Sequence, residues 1–275
     1  MDILLKVFIH HLYKKYLVVE TTRYFLLTKS KKYSIIDAEK WGDDLIYITG
    51  DVHCPYDVQK LNTRNFPEQK KMTKDDILIV CGDMGIVWYN AEDKRIKEDK
   101  YWQKWFNNKP FTTVFVDGNH ENFIMLQQYP IVEFHGGLAH KISDNVYHLI
   151  RGEVFEFDGQ TFFCFGGASS HDKESRIENI SWWSEELPND DEMVNGLKNL
   201  KKVNFSVDYI ISHCCPTSIQ KELVGSDGYK PDVLTDYFEE IANKCVFKKW
   251  FFGHYHVNRE VHHKYCCIYD EKVKI

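Results

Sequence analysis

The eight cysteines of this 275-residue chain include no C-x-x-C pair, and no apolar run approaches the ~20 residues that a membrane span requires. Basic residues are not in excess either. The net charge is −6 and the pI is near 6.1, so no global positive field invites nucleic acid or an anionic membrane, although a local basic groove stays open. Internal repeats and low-complexity tracts are missing, and Met1-Asp2 begins without the basic segment of a secretory leader. Cysteines 54, 81, 164, 214, 215, 245, 266 and 267 lie largely in apolar, strand-like runs, with two pairs adjacent in sequence. That favours buried reduced thiols over disulfides. The expectation is a cytoplasmic protein without membrane association. What the chain does have is 43% hydrophobic and 15% aromatic residues, enough for one large core.

The first thirty-two residues hold seven Lys/Arg against two acids, and a polar stretch then leads to the first clear strand at 45–49. Residues 1–44 therefore read as an N-terminal extension and residues 45–275 as the main domain. Apolar runs at Ile77–Cys81 and Thr113–Asp117 read as buried strands, with a helix over Ala91–Asn107 between them. In that helix Ile96, Tyr101, Trp102, Trp105 and Phe106 group toward one face. Strand–helix–strand order implies parallel pairing with a right-handed crossover. Five short β-type runs between residues 132 and 165 read as an antiparallel meander. Residues 189–202 and 231–243 look helical, and Tyr209–Ser212, Val246–Phe252 and Tyr265–Tyr269 return to strand. The fold class is α/β, a two-sheet β-sandwich flanked by α-helices.

Five ligand-rich segments punctuate these strands: Gly50-Asp51-Val52-His53, Gly82-Asp83, Asp117-Gly118-Asn119-His120-Glu121, Ile211-Ser212-His213 and Gly253-His254-Tyr255-His256. Each follows an apolar run, so the strand order predicts all five along one rim, at the carboxyl ends of the strands. Carboxylate oxygen, imidazole nitrogen and an amide oxygen are the donors that divalent transition ions favour. Residues spaced by two on a strand share a face of the pleat, which places Asp51 beside His53 and His254 beside His256. A lone Gly-Asp is usually a turn and a lone histidine usually a core residue. Five such clusters, each after a strand, are not readily explained that way.

The series Gly-Asp-x-His, Gly-Asp, Gly-Asn-His-Glu, a later His and Gly-His-x-His resembles the calcineurin-like metallophosphoesterase superfamily over residues 45–270. The resemblance implies a four-layer sandwich and two divalent metal ions, manganese first, with iron or zinc as the other fits. It implies one ion held by Asp51, His53, Asp83 and His256, and a second by Asp83, Asn119, His213 and His254, with Asp83 bridging. His120 is then the substrate-facing histidine and proton donor, and Asp83 and His120 are the catalytic pair. The implied reaction is hydrolysis of a phosphomonoester or phosphodiester by attack of metal-bound hydroxide.

In protein phosphatases and diadenosine tetraphosphate hydrolases of the superfamily, the second motif continues Gly-Asp-x-x-Asp-Arg-Gly. Here it reads Gly82-Asp83-Met84-Gly85-Ile86-Val87-Trp88. The Asp that orients the histidine and the phosphate-binding Arg are both missing, which argues against a protein phosphatase and leaves Asp117 and Glu121 as nearby acids. The run Phe165-Gly166-Gly167-Ala168-Ser169-Ser170-His171-Asp172, with Arg176 and Ser181-Trp182-Trp183-Ser184-Glu185-Glu186-Leu187, resembles a bacterial and phage branch of the superfamily. There Gly166-Gly167 permits close backbone approach, His171 and Arg176 are candidates to reach a substrate phosphate, and Trp182 or Trp183 to stack a base. The expected partner is a small phosphorylated or nucleotide-like molecule. A nuclease of the same fold and a metal-binding scaffold without catalysis are the alternatives, and oligomeric state is not legible.

Overall fold

The computed structural model describes residues 45–225 and 229–275, so the expected extension over residues 1–44 lies outside the described residues. Two mixed sheets face each other. The first contains β1 (Ile46–Thr49), β2 (Ile77–Val80), β3 (Thr112–Phe115), β4 (Ile131–Phe134), β5 (Gly137–Ser143) and β6 (Val146–Leu149). Its strand order is β13-β1-β2-β3-β6-β5-β4, where β13 is Val273–Lys274. The second contains β7 (Glu153–Phe157), β8 (Gln160–Phe165), β9 (Tyr209–Ser212), β10 (Lys249–Phe252), β11 (Arg259–Val261) and β12 (Tyr265–Cys267), in the order β11-β12-β10-β9-β8-β7. The centre of each sheet is parallel, β1-β2-β3-β6 in one and β12-β10-β9-β8 in the other.

Alternation along each strand assigns its residues to layers. Ile46, Ile48, Ile77, Ile79 and Val114 of the first sheet meet Phe162, Cys164, Ile211 and Phe251 of the second, and together they form the sandwich interior. Tyr47, Leu78, Val80 and Phe115 point the other way, onto Phe106 of α1 (Ile96–Asn107). A one-turn helix, α2 (Phe123–Leu126), follows β3. Phe163, Phe165, Ile210, Trp250 and Phe252 face α3 (Asp190–Lys202), α4 (Thr217–Val224) and α5 (Val233–Lys244) through Leu200, Ile219, Leu234, Phe238 and Ile241. The sandwich flanked by helices is the expected class. Capping boxes at Asn189 and Asp232 fix where α3 and α5 begin.

Several expectations need correction. The first helix starts at Ile96 rather than Ala91, because the Asp93 carboxylate accepts the Arg95 N–H at 2.8 Å and pairs with its guanidinium, holding a turn. Tyr101 is 60% exposed, so only Trp102, Trp105 and Phe106 of the expected face pack inward. The meander is divided: β4, β5 and β6 pair antiparallel in the first sheet, while the β7–β8 hairpin crosses to the second. Helix α4 was not anticipated, since it is short and follows directly on Pro216. All eight cysteines are free thiols and seven are buried, as expected. Among the described residues no helix is long and apolar enough to cross a membrane.

Trp250 is fully buried, and its indole N–H donates to Ser212 Oγ at 2.7 Å. Trp250→Ala leaves a cavity and removes the bond that Ser212 Oγ accepts, while that hydroxyl keeps its donation to the Cys214 carbonyl at 2.6 Å. The change is expected to cost about 3–5 kcal/mol in a urea titration. A loss under ~1 kcal/mol would show that the outer layer is not close-packed there.

Candidate metal centre

The five segments converge from both sheets. Asp51, Asp83 and Asn119 follow β1, β2 and β3, and His213 and His254 follow β9 and β10. The rim is thus the carboxyl ends of parallel strands in two facing sheets, which agrees with the strand-order argument. The pleat argument does not hold. The strands end before their ligands, and His53 (φ 38°), Asp83 (φ 49°), His254 (φ 67°) and His256 (φ 50°) all lie in the left-handed region. Such backbone is strained for a residue with a side chain, by about 1–3 kcal/mol each, and here it turns the side chains toward one point.

Close approach of the loops requires glycine. A Cβ on Gly118 would lie 2.0 Å from Asp83 Oδ1, and one on Gly253 would lie 2.0 Å from Asp51 Oδ1. With those clashes absent, ligand atoms of Asp51, His53 and His256 fall within 4.8 Å of one another. The same holds for His53, Asp83 and His120, and for Asp51, Asp83 and His213. Asn119 and His254 complete the cluster: the His254 ring lies 5.0 Å from that of His213, and its backbone N–H donates to Asp51 Oδ1 at 3.0 Å.

Neighbouring groups set the orientation of each donor. His53 Nδ1 contacts Asp57 Oδ2 at 2.8 Å, which leaves Nε2 facing Asp83 Oδ2 at 3.0 Å. His213 Nδ1 donates to the Cys81 carbonyl at 2.7 Å, which leaves Nε2 buried, without a hydrogen-bond partner among the described residues and 3.3 Å from Asp83 Oδ1. His256 stacks on Tyr269 and lies 3.0 Å from Asp51 Oδ2. Ser170 Oγ donates to the Glu186 carboxylate at 2.6 Å and so accepts from Asn119 Nδ2 at 3.2 Å. That fixes Asn119 Oδ1 as a buried acceptor without a hydrogen-bond partner among the described residues. An orphaned amide oxygen and an imidazole nitrogen without a hydrogen bond, beside two buried carboxylates, fit a cation-binding centre.

The electrostatics agree. Burial alone would push the Asp51 and Asp83 carboxyls up, but His213, with His256 on Asp51 and with His120 and His53 on Asp83, holds both below the ordinary carboxylate range. Burial tends to lower the His53 and His213 imidazoles, and the carboxylates outweigh it, raising them to about 9 and about 10. Lys60 is buried beneath, its ammonium donating to the carbonyls of Asp51 at 2.5 Å, Gly50 at 3.1 Å and Tyr269. Nothing in its sequence neighbourhood marks Lys60, because its role depends on a loop more than two hundred residues away.

The Calcineurin-like phosphoesterase family model matches residues 45–258, well over half of the chain. The chain belongs to that family. Lariat debranching enzyme A of Xenopus laevis is 25% identical over 228 residues, covering 74% of this chain and 41% of the relative. A lariat debranching enzyme of Drosophila pseudoobscura pseudoobscura is 24% identical over 213 residues, covering 69% and 38%. The chain therefore spans about two fifths of the length of these curated relatives. Among solved structures, phosphopantetheinyl hydrolase from Mycobacterium tuberculosis aligns at a TM-score of 0.40 with 13% identity, over 82% of this chain and 90% of that one.

In this family member the remaining expected residues take mixed positions. Arg176 pairs with Asp172 at 2.7 Å, and its guanidinium lies 3.4 Å from His120 Nε2. His171 packs on Tyr229 with ring centroids 3.7 Å apart, and lies 5.4 Å from the His254 ring. Trp182 is half-buried, with the Lys173 ammonium over its ring. Trp183 is 1% exposed and packs edge-on against Trp88, so it cannot stack a substrate base. Trp88 takes the surface position instead, stacked on His120 at 5.8 Å. The Gly166-Gly167 pair does permit close approach, but of its own chain: Gly167 N–H donates to the Asp117 carbonyl at 2.8 Å.

Neither nearby acid partners His120. Glu121 accepts the Met84 N–H at 2.6 Å and the Gly118 N–H at 2.7 Å, which joins the loops after β2 and β3. Asp117 is buried against Arg151 at 2.6 Å and His148 at 3.0 Å, and His148 in turn contacts His140. Burial, and then His148, hold His140 at about 4. The unfolded chain takes up that proton near pH 6.5, whereas the folded chain refuses it until about 4. Stability is thus complete above the unfolded value and falls as pH drops through the window. His140→Phe is expected to flatten the wild-type decline in urea midpoint between pH 6.5 and about 4. An unchanged decline would contradict the assignment.

Proposed function

We propose that this chain is a dinuclear metal-dependent phosphodiesterase acting on a nucleotide-like substrate. The observation that carries the reading is the convergence of the buried Asp51 and Asp83 carboxylates with the His213 imidazole and with Asn119 Oδ1, a buried acceptor without a hydrogen-bond partner among the described residues. Asp51, His53, Asp83 and His256 would hold one ion, and Asp83, Asn119, His213 and His254 the other, with Asp83 shared. Two divalent ions so held would lower the pKa of a shared water and offset charge on phosphoryl oxygens. The mixed carboxylate, imidazole and amide set suits manganese, iron or zinc, and manganese is the proposed occupant.

The chain's own residues supply the rest. His120 lies beside the cluster, its backbone N–H anchored on Asp83 Oδ1 at 2.8 Å and its ring held by Trp88. From there it can protonate a leaving oxygen or hydrogen-bond a phosphate oxygen. Arg176 stands next to it and offers the guanidinium that the second motif lacks, delivered from a different loop. Asp57 and the Cys81 carbonyl keep His53 and His213 in the tautomer that faces inward. A nucleic-acid substrate is the second reading, favoured by the likeness to lariat debranching enzymes.

A panel of monoesters, linear diesters, cyclic nucleotides and single-stranded nucleic acid, with added Mn²⁺, tests the reading. Turnover of a diester is expected, with Asp83→Ala inactive. His120→Ala is expected to lower kcat by about 10²–10⁴ while leaving metal content unchanged. Metal-loaded protein inert toward both monoesters and diesters would end the proposal.

A further inference from the structure

Two cavities adjoin the metal-ligand cluster and share no lining residue. One, of about 490 Å³, is walled by His53, His120 and His256 on the cluster side and by Tyr56, Trp88 and Tyr89 beyond them. The other, of about 470 Å³, meets the cluster at His254 and carries His171, Lys173, Tyr229 and Lys230. A phosphorus atom at the cluster would therefore have room for a substituent on either side, as a diester needs and a monoester does not.

The two chambers differ in chemistry. The first is aromatic. Trp88 is already half-buried and held in place by His120 and by the edge contact with Trp183. Tyr89 is held by the Arg95 guanidinium over its ring at 4.6 Å. Tyr56 is different: it is 81% exposed and makes no ring contact with another described residue. A large aromatic side chain left in water beside a fixed indole is matched by a flat heteroaromatic ring, which gains stacking area from both. The second chamber has two lysines and two histidines against one acid, Asp232, which suits an anionic group.

We infer that the Tyr56–Trp88–Tyr89 chamber is a nucleobase subsite, and that the substrate is a diester bearing a base on that side and a further anionic unit on the other. This inference rests on the phosphoesterase reading for its placement of the phosphate. It makes Tyr56 a specificity-determining residue that acts through its exposed ring, its backbone N–H being anchored on the His53 carbonyl at 2.6 Å.

Titration calorimetry of the full chain with Mn²⁺ tests the subsite without turnover, using adenosine 5′-monophosphate and ribose 5-phosphate as probes. The nucleotide is expected to bind about 5- to 100-fold more tightly than the sugar phosphate, by the usual worth of one base–aromatic stack. Tyr56→Ala should remove that preference without weakening ribose 5-phosphate, and Tyr56→Phe should keep it. In turnover, Tyr56→Ala should raise KM for adenylyl-adenosine but not for its abasic counterpart, with kcat unchanged for both. Equal affinity of the two probes for wild type, or an equal loss for both in Tyr56→Ala, would overturn the subsite. A Tyr56-dependent base preference in a protein that hydrolyses no ester would instead leave the subsite standing and remove the phosphoesterase reading.

Discussion

Two carboxylates, Asp51 and Asp83, are sealed from solvent within a few ångströms of each other, and the chain must compensate that charge. An isolated ionised carboxylate in a protein interior costs several kcal/mol or more, so groups of this kind persist only with cationic or hydrogen-bonding partners. Four imidazoles (His53, His120, His213 and His256) each bring a ring nitrogen within 4.8 Å of one or other carboxylate. Lys60 adds a positive charge behind Asp51, held by three carbonyls. Even so, Asn119 Oδ1 is left without a hydrogen-bond partner among the described residues, and His213 Nε2 makes none either, although it lies 3.3 Å from Asp83 Oδ1. An amide oxygen facing inward without a hydrogen, beside two buried carboxylates and several imidazoles, fits a cation-binding centre.

The fold follows from the need to bring those groups together. No single sheet supplies enough strand ends, so three loops come from the first sheet and two from the second, meeting where the parallel strands finish. The sandwich interior, built from Ile46, Ile79, Phe162 and Phe251 among others, keeps the sheets in fixed relation. Glycines at 118 and 253 let the loops approach within contact of the carboxylates, and four left-handed residues turn the side chains inward. Glu121 and Arg151 then tie neighbouring loops to one another, the first through backbone N–H groups, the second through Asp117 and the carbonyl of Glu185. The strained turns are stable because the packed layers on both sides leave them no alternative.

Much of this was legible in the residues, and the exceptions have physical causes. Strand identity and the position of each ligand segment could be read because buried parallel strands are short apolar runs that end in glycine turns. The reason given for the Asp51–His53 and His254–His256 pairs was wrong: pleat alternation cannot apply past the strand end, and left-handed φ values are not visible as a pattern. Trp182 and Trp183 illustrate a second limit. Both are adjacent tryptophans in one loop, yet Trp183 is core and it is Trp88, from the second motif, that takes the position beside His120. Ser170 and Glu186 show the converse, since both were in view as parts of one signature. Their link to Asn119 depends on a fold-back of the chain that spacing does not encode.

The site is thus a charge problem solved by geometry, with the reaction following from where the donors point. Metal stoichiometry tests this most directly, by elemental analysis of the purified chain after dialysis against limiting Mn²⁺. The account predicts two equivalents per chain for wild type, and fewer than one for Asp83→Asn, because the shared carboxylate would serve both ions. One equivalent or none in wild type, or two equivalents retained in Asp83→Asn, would contradict it.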